Sequence, residues 1–172
     1  MVRKLNFTRV SRYVLEDLNF EVENLRHLDC PFLVPILGVY IDLPEIGIIM
    51  PYMPNGSLFQ LLHIKEYKFK SREKIRISKE LAYGMNRLSK AERYHGHLSA
   101  NNILLDDRMR VFIADIGLYK FKKYAGIVNS YSNRNIWSSP EILREKNPIP
   151  AVSSQQDDVF SYGTILWELF TE

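Results

Sequence analysis

The chain has 172 residues, long enough for one ordinary domain with a sizeable core. With 46% hydrophobic and 25% charged residues it is globular rather than disordered. The formal charge of +3 is mild and scattered except at Lys120, Lys122 and Lys123, a cluster that reads as a solvated face and leaves no nucleic-acid footprint.

After a short N-terminal piece, Leu15, Leu18, Val22, Leu25 and Leu28 recur at intervals of three and four. That spacing predicts an apolar stripe on a helix of about four turns, with Glu21 at its margin. Pro31 ends it, because proline cannot continue a helix. Two apolar runs, ILGVYID (36–42) and IGIIM (46–50), are separated by Leu43 and Pro44 and predict antiparallel strands. PYMPNG (51–56) is punctuated by proline and glycine and reads as an extended linker and turn.

A short helix is expected from Ser57 to His63. Ser71 is placed to cap a longer helix carrying Ile75, Ser78, Ala82, Met85 and Leu88 on one face. NNILLDD and RVFIAD then read as a β-hairpin around Asp106 and Asp107. Residues 118–157 have weak periodicity and predict a long loop with a little helix. The run DVFSYGTILWELF (158–170) is apolar on nearly every side, as in a helix at the middle of a larger domain.

Cys30 is the only cysteine, so no intrachain disulfide can form and a reducing compartment is expected. The basic start MVRKLNFTRVSRY has no apolar stretch of signal-peptide type, and no run approaches the roughly 18 apolar residues of a membrane span. These features predict a soluble, cytoplasmic protein.

Taken in order, the pieces resemble a protein kinase domain, from its third strand to its central helix. HGHLSANN (95–102) stands where the catalytic loop H-R-D-L-x-x-x-N would be, and DIG (115–117) for D-F-G. SPE (139–141) matches A-P-E, DVFSYGTILWEL (158–169) the D-V-W-S-F-G helix, and NGSL (55–58) the turn after the hinge. The match covers essentially the whole chain, with its details closest to tyrosine-kinase-like and receptor-interacting relatives. It implies an α+β, two-lobed fold, incomplete at both ends, divided into residues 1–53 (small lobe and hinge) and 54–172 (large lobe). No glycine-rich loop precedes Lys4, and the chain stops directly after the central helix, as expected of an excerpt, a splice form or an incomplete gene model rather than a self-sufficient domain. Glu141 would pair in the family with an arginine beyond this terminus.

The resemblance also implies site roles. Phosphoryl transfer needs positioned phosphates, metal to neutralise charge and an oriented hydroxyl. Asn102 and Asp115 occupy the positions that hold Mg²⁺; Lys4 is the candidate strand lysine and Glu21 its helix partner. The hinge backbone around Pro51 to Met53 would contact ATP, with Met50 at the back of the pocket and Val2 and Leu104 sandwiching the adenine. Pro51 has no amide hydrogen to donate, so the hinge would rely on groups such as the Met53 amide; with no glycine-rich loop either, ATP, with Mg²⁺, is expected to bind weakly. Leu25, Ile36, His95 and Ile116 match a buried spine.

The catalytic loop departs from the family. His97 stands at the catalytic aspartate, Gly96 at the arginine that grips a phosphorylated activation loop, and Ser99 and Asn101 at cations that contact phosphate or substrate. The loss of these charges together implies a pseudokinase acting in signalling through weak ATP binding and contacts with other signalling proteins. Two alternatives stand beside it: a weak kinase using His97 as base, and a nucleotide-free structural scaffold. A zinc reading of His95 and His97 lacks partnering cysteines or acids.

Overall fold

The computed structural model describes residues 1–6, 11–43, 45–118, 121, 136–144 and 154–171. Lys120, Lys122, Lys123 and most of the stretch expected as a long loop lie outside them. Ser11 opens the first helix, α1 (Arg12–Arg26), its side chain accepting from the Val14 amide at 3.4 Å. The predicted stripe is present: Leu18 and Val22 are buried, with Leu15 and Leu25 half-buried beside them. Glu21 is not marginal but buried among them, at 6% exposure.

Strands β1 (Val2–Asn6), β2 (Gly38–Asp42) and β3 (Glu45–Ile49) form one antiparallel sheet in the order β1-β3-β2. Its inner face carries Leu5, Ile46 and Ile48, each at most 1% exposed, and packs on Leu18 and Val22 of α1. A second sheet joins the short β4 (Gly56–Ser57) to β5 (Ile103–Leu105) and β6 (Val111–Ile113). The turn between β5 and β6 is tied by Asp106, which accepts from the Arg108 and Arg110 amides and from Arg110 Nε at 2.7–3.0 Å. The hairpin expected around Asp106 and Asp107 is therefore present.

Leu58 and Phe59 are helical and run into a π-helical turn, Gln60–Ile64. The long helix α2 (Ser71–Lys90) is capped one residue earlier than expected, at Lys70, whose amide donates to Glu73 at 2.8 Å. Its buried face also differs, consisting of Ile77, Leu81, Gly84 and Leu88, while Ile75 is 49% exposed. The reason is close packing. A Cβ on Gly84 would lie 2.5 Å from Ile113 Cδ1, so the helix meets β6 on the face that carries the glycine, a residue an apolar-periodicity count passes over.

Two backbone bonds link the segment after α1 to the second sheet. Ile113 donates to the Phe32 carbonyl at 2.7 Å and Val34 donates to the Ile113 carbonyl at 2.9 Å, so the segment after α1 is stitched to β6. The core around the first sheet also reaches Met53, Leu104, Ala114, Leu118 and Phe121. The helix α3 (Pro140–Arg144) precedes α4 (Gln155–Thr171), which buries Asp158, Ser161, Ile165, Glu168 and Leu169. Among the described residues several of its other apolar side chains stay open, Val159 at 62% and Trp167 at 63%. No described helix is long and apolar enough to cross a membrane.

The expected α+β architecture is thus found: two small sheets, one helix on the first and longer helices around the second.

Candidate functional site

The loop HGHLSANN is held from behind by its backbone. Asp158 on α4 accepts from the amides of His95 at 2.6 Å and Gly96 at 3.0 Å. Burial pushes the Asp158 carboxyl up to about 6, against the pull of those two N–H groups. Gly96 lies at φ +77, a left-handed turn that exposes both amides to one carboxylate.

His95 is 1% exposed, and burial lowers it to about 4, with His97 adding to the shift, so the ring is neutral. Its Nδ1 accepts from the His97 amide at 3.3 Å, so the ring proton sits on Nε2 and is donated to the Ala114 carbonyl at 2.9 Å. Both ring nitrogens are engaged inside the fold, which leaves His95 no lone pair for a metal.

Asn102 closes the loop. Its Nδ2 donates to the His97 carbonyl at 2.8 Å, and its own carbonyl accepts from the Ala114 amide at 2.8 Å. This ties the loop's end to the residue preceding Asp115. Asp115 is buried at 7% and sits at φ +64, a conformation that aspartate tolerates better than bulkier residues. The metal candidates Asn102 and Asp115 are therefore adjacent through the backbone.

The front of the loop is different. His97 is half-buried, Ser99 is buried at 2% and Asn101 is exposed. The segment 96–101 carries no carboxylate and no lysine or arginine.

The cation pairing differs from expectation. Lys4 does not face Glu21; its Nζ lies 2.8 Å from Glu45 on the open side of the first sheet. Side chains alternate along a strand, so Lys4 and Val2 share one face while Arg3 and the buried Leu5 share the other. Val2, 46% exposed, lies over Gly47 on the outer face, where a Cβ on that glycine would meet Val2 Cγ1 at 2.6 Å. It does not sandwich anything with Leu104, which lies in the inner core at 8% exposure.

Arg3 is the cation that β1 delivers inward. Its Nη2 lies 2.5 Å from Asp115 Oδ2, with the carboxylate side chain 3% exposed and the arginine 40%. Glu21 is bound instead by Arg93, at 2.5 Å, from the segment just before His95. Glu21 also lies against Gly117, where a Cβ would approach its Oε1 to 2.6 Å. Gly117 has φ +65, so that position suits glycine on two counts.

Met50 and Met53 are buried, at 3% and 6%. Met50 is tied to Met1 through both its amide and its carbonyl, at 2.9 and 2.8 Å. A cavity of about 30 Å³, roughly the room of one water, is lined by Met50, Asp115 and Leu118 together with Leu25, Ile36 and Ile116 of the expected spine. Ile116 is 6% exposed, so isoleucine keeps the apolar contact of that position.

A Mg²⁺ ion is the group these positions would be asked to hold. Mg²⁺ takes near-ideal octahedral oxygen coordination and draws on carboxylates that carry uncompensated charge. Asn102 commits its Nδ2 to the His97 carbonyl, and Oδ2 of Asp115 already holds a guanidinium. A divalent ion on that carboxylate would sit against a fixed positive charge. The residues present do not fit a resident Mg²⁺.

Three residues that matter here were not singled out as site residues in the sequence. Arg3 was signalled by parity with the apolar Leu5. Asp158 lay inside a quoted motif, without a role. Arg93 carried no local signal, since its partner is 72 positions away.

The family model for protein tyrosine and serine/threonine kinases matches residues 2–172. A probable serine/threonine-protein kinase of Dictyostelium discoideum is 33% identical over 162 residues, covering 94% of this chain and 17% of the relative. SIS8, a probable serine/threonine-protein kinase of Arabidopsis thaliana, is 34% identical over 161 residues, covering 91% and 15%. The speract receptor of Strongylocentrotus purpuratus is 33% identical over 178 residues, covering 96% and 15%. The chain thus spans 15–17% of the length of these relatives. Matched along nearly its whole length, and folded with the loop, DIG segment and central helix in the expected order, the chain belongs to the protein tyrosine and serine/threonine kinase family.

Proposed function

We propose that this kinase-family domain does not transfer phosphate at an ordinary rate, and that it acts in cytoplasmic signalling by weak nucleotide binding and contacts with other proteins. Residues 1–53 and 54–172 serve as its two lobes, with the nucleotide between them near Met50, Met53 and Leu104. The observation that carries the reading is the catalytic loop: its backbone frame is intact while the charges of its front face are gone.

Two jobs fail in such a loop. No carboxylate at position 97 orients the incoming hydroxyl, and no cation at 99 or 101 neutralises the moving phosphate. Ser99 is also buried, at 2% exposure. Preorganised charge of this kind is usually the largest single contribution to catalysis.

The test is phosphoryl transfer from ATP to a general protein substrate by the full-length protein. Turnover well below about 1 s⁻¹, under the family's usual range, is the expected result. Turnover at or above that rate would overturn the reading and make His97 a working base.

A further inference from the structure

We propose that Arg3 takes the place of the divalent cation at Asp115, so that this site binds the polyphosphate of a nucleotide without Mg²⁺. The inference rests on the nucleotide-binding part of the reading above, and concerns what neutralises the phosphates.

The geometry supports it in three ways. First, the charge at the centre of the cleft is already balanced: Arg3 meets Asp115 at 2.5 Å, and Arg93 meets Glu21 at 2.5 Å. Both carboxylates are under 10% exposed, so their pairing is weakly screened by solvent and salt. Second, strand parity obliges the Arg3 side chain to point inward, because Leu5 on the same face is 1% exposed and anchors the strand. Third, 40% of the Arg3 side chain remains exposed. A guanidinium presents five N–H donors in a planar fork, which suits phosphate oxygens bidentately while one arm stays on a carboxylate.

A Mg²⁺–nucleotide complex arriving at such a site brings a second cation to an occupied carboxylate. A metal-free nucleotide brings only anionic oxygens, which can accept from the Arg3 guanidinium. Asp115 then orients Arg3 rather than holding metal.

The experiment is nucleotide binding to the full-length protein, read by thermal shift and calorimetry with ATP in EDTA and with ATP in Mg²⁺. The dissociation constant in EDTA should match or lie below that in Mg²⁺. Arg3→Ala should weaken binding in EDTA by roughly tenfold or more, the loss of a charge-assisted contact. Asp115→Asn should weaken binding in EDTA far less than Arg3→Ala does, since the amide oxygen still accepts from Arg3 while a negative charge beside the phosphates is removed. A Mg²⁺-held nucleotide predicts the reverse, with Asp115→Asn abolishing binding. Binding seen only with Mg²⁺, or no binding in either condition, overturns the proposal. Neither outcome touches the proposed loss of phosphoryl transfer, which the turnover assay decides separately.

Discussion

The two sides of the segment 95–102 differ in kind. Its rear is a closed hydrogen-bond frame, with Asp158 holding two amides, His95 bridging to Ala114, and Asn102 tied to His97. Its front, residues 96–101, carries no carboxylate, lysine or arginine. The frame carries the fold, since it joins α4, β6 and the DIG segment. The front carries only chemistry. On the reading proposed above, keeping one without the other separates the stability of a kinase fold from its reaction.

The same separation holds lower in the molecule. Trp137 Nε1 donates to Glu168, His63 meets the same carboxylate at 2.9 Å, and Ser161 donates to the Trp137 carbonyl at 2.7 Å. None of these groups touches the cleft. They hold the segment before α3 against α4, and their polar atoms are satisfied as a buried network requires.

The sharpest way to break the comparison is to remove its rear anchor. Asp158→Ala leaves two amides without their acceptor, at about 1–3 kcal/mol each. A total loss of roughly 2–6 kcal/mol, a large fraction of an ordinary domain's stability, is expected in denaturant titrations. His97→Ala, on the front, should cost less than about 1 kcal/mol in the same measurement. Comparable losses at the two positions would end the distinction.

A second prediction follows from the two titrating groups in the frame. Folded His95 titrates at about 4 against an ordinary 6.5, so as pH falls below 6.5 the unfolded chain takes the proton first and stability is lost. Folded Asp158 titrates at about 6 against 3.8, so as pH falls through 6 the folded chain takes the proton first and stability is gained. The two windows overlap and oppose, and their contributions nearly cancel. Asp158→Asn removes only the second. Its stability should fall by roughly 2–4 kcal/mol between pH 6.5 and 4, where the unmutated protein changes far less through this pair. Parallel pH profiles for the two proteins would refute the offset.

A smaller effect is expected from repairing the front. Groups that act as a unit are non-additive, so His97→Asp alone should raise phosphoryl transfer less than about tenfold. Adding Ser99→Lys should raise it further, though position 99 is buried at 2% and the new ammonium must snorkel into the cleft. A full return to about 1 s⁻¹ from the single change would show that position 97 alone was limiting.

The smallest expected effect concerns the first strand, and it shows what was legible in the sequence. Apolar spacing of three and four gave α1, because Leu18 and Val22 report burial directly. Ordered motifs gave the loop, the DIG segment and α4, because each fixes a backbone shape. The α2 face was missed because a glycine, not a large apolar residue, makes its closest contact. On β1, matching the letters MVRK to a lysine motif placed Lys4 in the cleft, whereas a shift of one residue moves every side chain to the other face. The buried Leu5 sets that parity, and it turns Arg3 inward and Lys4 outward. Lys4 and Glu45 are 56% and 47% exposed, an arrangement in which solvent screening leaves an ion pair little influence. Lys4→Ala should therefore leave the melting midpoint and the response to nucleotide unchanged within error, while Arg3→Ala alters the response to nucleotide. If Lys4→Ala abolished that response instead, the strand would sit one residue out of the register found here, and the pairing of Arg3 with Asp115 would fall with it.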